Sequence, residues 1–187
     1  MGIGLQNSVT LLRRQMINNM SEPEKTLRSD IKQIELRLPE GISVPRNFER
    51  EHKRALIDLT KRAHFQPEDG ANGPYSIVLS MCDQKLRFDI HDATGEQLKN
   101  HLFSLSPYRR TLKDYFMMID SYEQIRSHAM ASKLETIDMA RRGLHNEAAD
   151  RLVDRLKEKI KIDQNTARDL FTLICVVHLS TAKSGRI

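Results

Sequence analysis

Residues 75–105 read YSIVLSMCDQKLRFDIHDATGEQLKNHLFSL, and the fold turns on how this stretch divides. Ile77 and Leu79 alternate with smaller or polar neighbours, so residues 75–81 predict a strand with one apolar face. Leu86, Phe88 and Ile90 repeat that pattern over 86–90. His101, Phe103 and Leu105 share one face of a third strand, 99–105, with Leu102 on the other. Asp83-Gln84-Lys85 and Asp92-Ala93-Thr94-Gly95 carry the residue types that reverse a chain. Three strands joined by two short turns predict an antiparallel meander.

On the N-terminal side, Ile34, Leu36 and Leu38 alternate with Glu35 and Arg37. This is a half-buried strand ended by Pro39 and Gly41, placed at an edge of the meander. Pro45 suits the first helical position, and Phe48, Ala55, Leu56 and Leu59 recur at helical spacing as far as Ala63. Arg46, Arg50, Lys53, Arg54, Lys61 and Arg62 fill the other faces, with Glu49, Glu51 and Asp58 between them. Such a helix is either a solvated face laced with i,i+4 pairs or a face that reads phosphates. Residues 64–74, rich in Gly, Pro, Asn and Asp, read as a loop.

On the C-terminal side, Ser106 and Pro107 predict an N-cap and N1. Leu112, Tyr115, Phe116, Ile119, Tyr122 and Ile125 then form an apolar stripe to about His128. Ser132 and Glu135 form a capping box for a helix that stops at Gly143, a C′ glycine. Asn146 caps the next helix, which buries Leu152, Val153 and Leu156. Asp163 opens the last, whose core positions are Ala167, Leu170, Phe171, Leu173, Ile174 and Val177. Strands followed by helices predict an α+β domain: a small antiparallel sheet, one strand plus the meander, covered on one face by about five helices. The domain is expected over residues 30–180, between a weakly patterned mobile arm, 1–29, and a frayed tail, 181–187.

A chain of 187 residues is one domain with room for a real core. Hydrophobic content of 39% with 29% charged residues suits a soluble protein. The net charge of +5 and pI of about 9.3 admit nucleic acid, a phosphorylated ligand or an acidic protein as partner. Cys82 and Cys175 lie in apolar contexts without a Cys-x-x-Cys spacing, so both are expected as buried thiols in a reducing compartment. No window approaches the roughly 18 apolar residues of a membrane span; the longest apolar run, 170–179, is broken by Thr172 and His178. Met1 to Met20 carry no signal-peptide pattern, and Gln6 stands where a myristoylation signal needs Ser or Thr. A cytoplasmic protein without membrane contact is expected.

Phosphate-loop, dinucleotide-binding, nucleophile-elbow and zinc-protease motifs are all absent, so no cofactor is expected. His145-Asn146-Glu147 lacks the Pro-Cys-x-x-Cys that a zinc deaminase requires, and no metal is expected. Ionisable residues concentrate in two stretches instead, 106–115 and 138–147. The first offers Arg109, Arg110 and Lys113 near a helix start, where cations oppose the macrodipole at about 0.3–1 kcal/mol each. A bound anion reverses that cost; pairing with Glu147 or Asp150 is the structural alternative. The second offers Arg141, Arg142, His145, Asn146 and Glu147, which helix termination and capping also explain.

Three functions fit these residues. The first is a non-catalytic binding or regulatory module for phosphate-bearing partners, RNA foremost. The second is a small enzyme acting on an anionic substrate, with His145 as general acid or base, Glu147 orienting it, and Arg109, Arg110 and Arg142 holding the anion. The third is a protein-interaction adaptor, with a homodimer as one form. An aromatic content of 5% thins any base-stacking platform. No residue is marked as an activated nucleophile. The binding module is the preferred reading.

The loop Gly73-Pro74-Tyr75, the string Ser106-Pro107-Tyr108-Arg109-Arg110, the string Lys113-Asp114-Tyr115-Phe116, residues 138–147 and Arg168-Asp169-Leu170-Phe171 carry a resemblance. Together they resemble a family of small alphaproteobacterial proteins of uncharacterised function, UPF family two-six-two. The likeness runs from about Ile31 to Leu179. Arg141-Arg142-Gly143-Leu144-His145-Asn146-Glu147 is its most specific part, and the segment before Ile31 is longer than the family pattern. The resemblance implies a bacterial cytosolic single domain and transfers no mechanism.

Overall fold

The computed structural model describes residues 29–68, 72–125 and 131–184. Strand β1, Ile31–Arg37, leads through a 3-10 turn, Arg46–Phe48, into helix α1, Glu49–Arg62. After a short strand β2, Phe65–Pro67, come the expected three strands: β3, Tyr75–Cys82; β4, Lys85–His91; and β5, Gln97–Ser104. A 3-10 turn, Ser106–Tyr108, opens α2, Arg109–Ile125; then follow α3, Ala131–Leu156, strand β6, Ile160–Ile162, and α4, Gln164–Ser184.

The meander is antiparallel, and β1 adds to its β3 edge to give the order β1-β3-β4-β5. β1 runs parallel to β3, because α1 carries the chain back before the next strand begins. The β3–β4 turn places Asp83 and Gln84 at positive φ, 47° and 61°. That conformation matches the right-handed twist of a hairpin. At the next turn the Asp92 carboxylate accepts Thr94 N–H at 2.8 Å and Glu96 N–H at 3.0 Å, and Gly95 takes φ of 91°. Ile77 and Leu79 on β3, Leu86, Phe88 and Ile90 on β4, and Phe103 on β5 are buried towards the helices. This is the α+β arrangement expected, with helices on one face of the sheet, but the parallel β1 makes the sheet mixed where an antiparallel one was expected.

Two strands escape sequence reading. β2 and β6 pair antiparallel, Phe65 against Ile162 and Pro67 against Ile160, inside segments read as loop and helix connection. Three residues are too few to show a period, and Pro argues against a strand.

The helices number four among the described residues rather than about five. The expected break at Gly143 does not occur, and Asn146 therefore caps nothing: α3 runs through both. Gly143 has no positive φ. His145, Ala148, Ala149 and Leu152 are all buried, so tertiary packing holds the backbone helical across a glycine that costs about 1 kcal/mol relative to Ala.

Two start signals also shift. Ser106 makes no side-chain cap; Leu105 occupies the cap position of the 3-10 turn, with Pro107 inside it. Pro45 is likewise the cap of its 3-10 turn, not its first residue. Asp163 does cap α4, accepting Thr166 N–H at 2.8 Å, and α4 continues past Thr181 to Ser184, where a tail was expected. Cys175 is buried as expected, whereas Cys82, at the end of β3, is only half-buried; both are free thiols. His128, the side chain of Ser132 and residues 1–28 lie outside the described residues. No helix among the described residues is long and apolar enough to cross a membrane.

Candidate functional site

α1, α3 and α4 enclose a cleft of about 410 Å³. Glu51, Arg54, Asp58 and Arg62 reach it from α1, because steps of three and four residues keep one helix face. Arg141, Arg142, His145 and Asn146 come from α3, and Asn165, Arg168, Asp169 and Thr172 from α4.

Most of the arginines have acidic partners. Asp58 takes Arg62 at 2.9 Å and Arg54 at 3.6 Å. Arg62 also lies 3.6 Å from Asp169. Asp138, behind the rim, holds Arg141 at 2.6 Å and Arg142 at 2.8 Å; the Arg141 hydrogen bond draws its carboxyl below the ordinary value. Arg168 differs. It is half-buried, and its side chain has neither ion pair nor hydrogen bond among the described residues. Burial first, then the negative charge of Asp58, pushes the Asp169 carboxyl up to about 6 against the pull of Arg62, Arg168 and Arg54.

His145 closes the cleft floor at 7% exposure. Its Nε2 is 2.9 Å from the Tyr115 hydroxyl, and its ring meets Tyr115 and Phe171 edge-on at 4.9 and 5.7 Å. Burial, then the charges of Arg141 and Arg168, lowers its pKa to about 4, although a hydrogen bond to the Arg168 backbone favours the charged ring. The ring is therefore neutral at pH 7. With the other ring nitrogen donating to that backbone, Nε2 accepts the Tyr115 O–H. His145 positions Tyr115 and the cleft floor more than it offers a free base.

The expected site residues thus divide. Arg141, Arg142, His145 and Asn146 come together in the cleft. Glu147 does not orient His145: it pairs with Arg151 at 2.7 Å, and Arg151 also donates to the Pro107 carbonyl at 3.3 Å. Arg109 lines a separate depression of about 580 Å³ near His178 and Lys85. Arg110, with a side chain 93% exposed, lies 3.8 Å from Asp114, and Lys113 is exposed. Neither Glu147 nor Asp150 takes the α2 arginines; Asp150 accepts Gln164 at 2.9 Å. Sequence reading missed Arg54, Asp58 and Arg62 as one facing set, although their i,i+4 spacing was visible. It also missed Arg168 and Asp169, a charged pair opening an otherwise apolar helix. Among the described residues, no group of three or more His, Cys, Asp or Glu side chains could hold a metal ion.

A family model described as "Uncharacterised protein family (UPF0262)" matches residues 28–180. A UPF0262 protein of Chelativorans sp. is 44% identical over 147 residues, covering 78% of this chain and 91% of its own. Those of Caulobacter vibrioides and Brucella anthropi are 42% and 46% identical, over 79% and 78% of this chain and 92% and 91% of theirs. No solved structure matches.

Proposed function

This chain belongs to the Uncharacterised protein family (UPF0262), and from its cleft we propose a non-catalytic binding module for anionic, phosphate-bearing ligands, acting in the cytoplasm. One observation carries the reading: Arg168 is half-buried beside the cleft without an acidic partner among the described residues. A charge held out of full solvent without a partner is costly, and a ligand anion supplies the missing one. Arg54, Arg62, Arg141 and Arg142 surround the same space with forks already oriented by carboxylates, which lowers the cost of ordering them around a phosphate. Calorimetric titration with pyrophosphate tests this. Arg168→Gln is expected to weaken binding by about tenfold or more, the worth of a charge-assisted hydrogen bond, with the melting temperature unchanged or raised. Equal affinity in the variant, or no binding by the wild-type protein, overturns the reading.

The enzyme alternative moves from His145 to Asp169, whose carboxyl at about 6 stands beside Arg62 in the cleft and suits acid–base work near neutrality. Turnover of a phosphate ester or RNA that is lost in Asp169→Asn would favour it; binding without turnover favours the module.

A further inference from the structure

The cleft adjoins two further depressions along α1, and Glu51 and Arg141, 4.0 Å apart, border both it and the nearer one. A second depression, about 200 Å³, shares Glu51, Arg54 and Arg141 with it. A third, about 380 Å³, shares Arg50, Glu51 and Tyr122 with the second. The three follow α1 and its leading 3-10 turn from Arg46 to Arg62, about 24 Å at a rise of about 1.5 Å per residue.

Charge is not spread evenly along this track. At the far end Arg46, Arg50 and Lys53 are exposed or at the rim and have no ion pair among the described residues. At the near end Arg168 is the cation without a partner among the described residues. The middle is lined by Met118, Ile119, Tyr122 and Ile137 together with charges that are already paired, Arg141 with Asp138 and Glu51, and Arg54 with Asp58. A compact phosphate satisfies one end only: Arg50 and Arg62 on the same helix are separated by about 18 Å of rise. A ligand that uses both ends must be a chain with charges at intervals and a flat or apolar part between them. A single nucleic-acid strand has that form, with phosphates for the terminal cations and a base for the half-buried Tyr122 ring.

We propose that the face of α1 is a track for a single strand of nucleic acid, entered at Arg46, Arg50 and Lys53, stacked at Tyr122 and ending on Arg168. This rests on the anion-binding reading of the cleft and extends it to an elongated ligand. An acidic peptide fits this track less well, because carboxylates on side chains bring no flat group to Tyr122.

Fluorescence anisotropy with labelled oligo-uridylates of about 4 and about 12 nucleotides, bracketing single-strand site sizes, tests the track. The longer oligomer is expected to bind more tightly, with affinity falling linearly in log salt. Arg46→Gln, Arg50→Gln and Lys53→Gln combined lie on the surface and leave the core intact. They are expected to weaken the longer oligomer about tenfold and to reduce the salt slope by about 0.7 for each phosphate no longer neutralised. They leave pyrophosphate binding in the cleft unchanged. Tyr122→Ala is expected to weaken the oligomer about tenfold without changing the slope. If the triple variant binds the longer oligomer with wild-type affinity and slope, the track is overturned, and pyrophosphate binding then still stands or falls with Arg168→Gln. Tighter binding of polyglutamate than of oligo-uridylate also overturns it.

Discussion

At the residue scale, Asp169 and His145 titrate in opposite senses within one cleft. Asp169 is raised from 3.8 to about 6, so the native state holds its proton more tightly than the unfolded chain. Its contribution to stability is present below about 4 and is lost as pH rises to about 6. His145 is lowered from 6.5 to about 4. Its contribution is present above 6.5 and is lost as pH falls through about 4. Over this shared window the two nearly cancel. Asp169→Asn removes one of them. The variant is expected to match the wild-type protein near pH 4 and to be more stable by about 2 kcal/mol above pH 6, from about 1.36 kcal/mol per unit discounted for solvent screening. Denaturant titrations at a series of pH values give the difference curve. A flat difference, or a less stable variant at neutral pH, rules out the assignment of the Asp169 shift.

At the scale of elements, α3 is where local signals and packing disagree. Gly143 followed by Asn146 spells a helix stop and restart, yet one helix spans Ala131–Leu156. A Cβ built on Gly143 meets nothing within 4 Å, and the backbone is not left-handed there. Gly143→Ala is therefore expected to stabilise the protein by about 0.5–1 kcal/mol, through higher helix propensity and a less flexible unfolded chain. At a C′ glycine the same change would destabilise, so the sign of the shift in denaturation midpoint decides between the two structures. The same continuity explains how the candidate residues part company. On one unbroken helix, His145 turns inward and Glu147, two positions on, faces a different neighbour. A break at Gly143 would have allowed all of 141–147 to face one way.

At the scale of the whole molecule, the buried core of the described residues runs from Ile31 to Val177. A chain beginning at Ser29 is expected to melt cooperatively with an unchanged midpoint, measured by calorimetry. A lost or broadened transition would make the preceding segment part of the fold.

What the amino-acid sequence determined alone was whatever depends on neighbours along the chain. The alternation in 75–105 specified β3, β4 and β5 and their turns, because side-chain period and turn chemistry are local. The apolar stripe through Leu112, Tyr115 and Ile119 specified α2, and Asp163 marked the start of α4. The tertiary structure alone decided what depends on partners distant in sequence. β2 and β6 exist because Phe65 and Ile162 meet across the fold. α3 stays whole because α4 packs against it. The cleft depends on α1 and α4 as much as on α3, and neither the lack of a partner for Arg168 among the described residues nor the raised carboxyl of Asp169 has a local cause: both follow from what is buried, and which charges converge, when three helices close on one space.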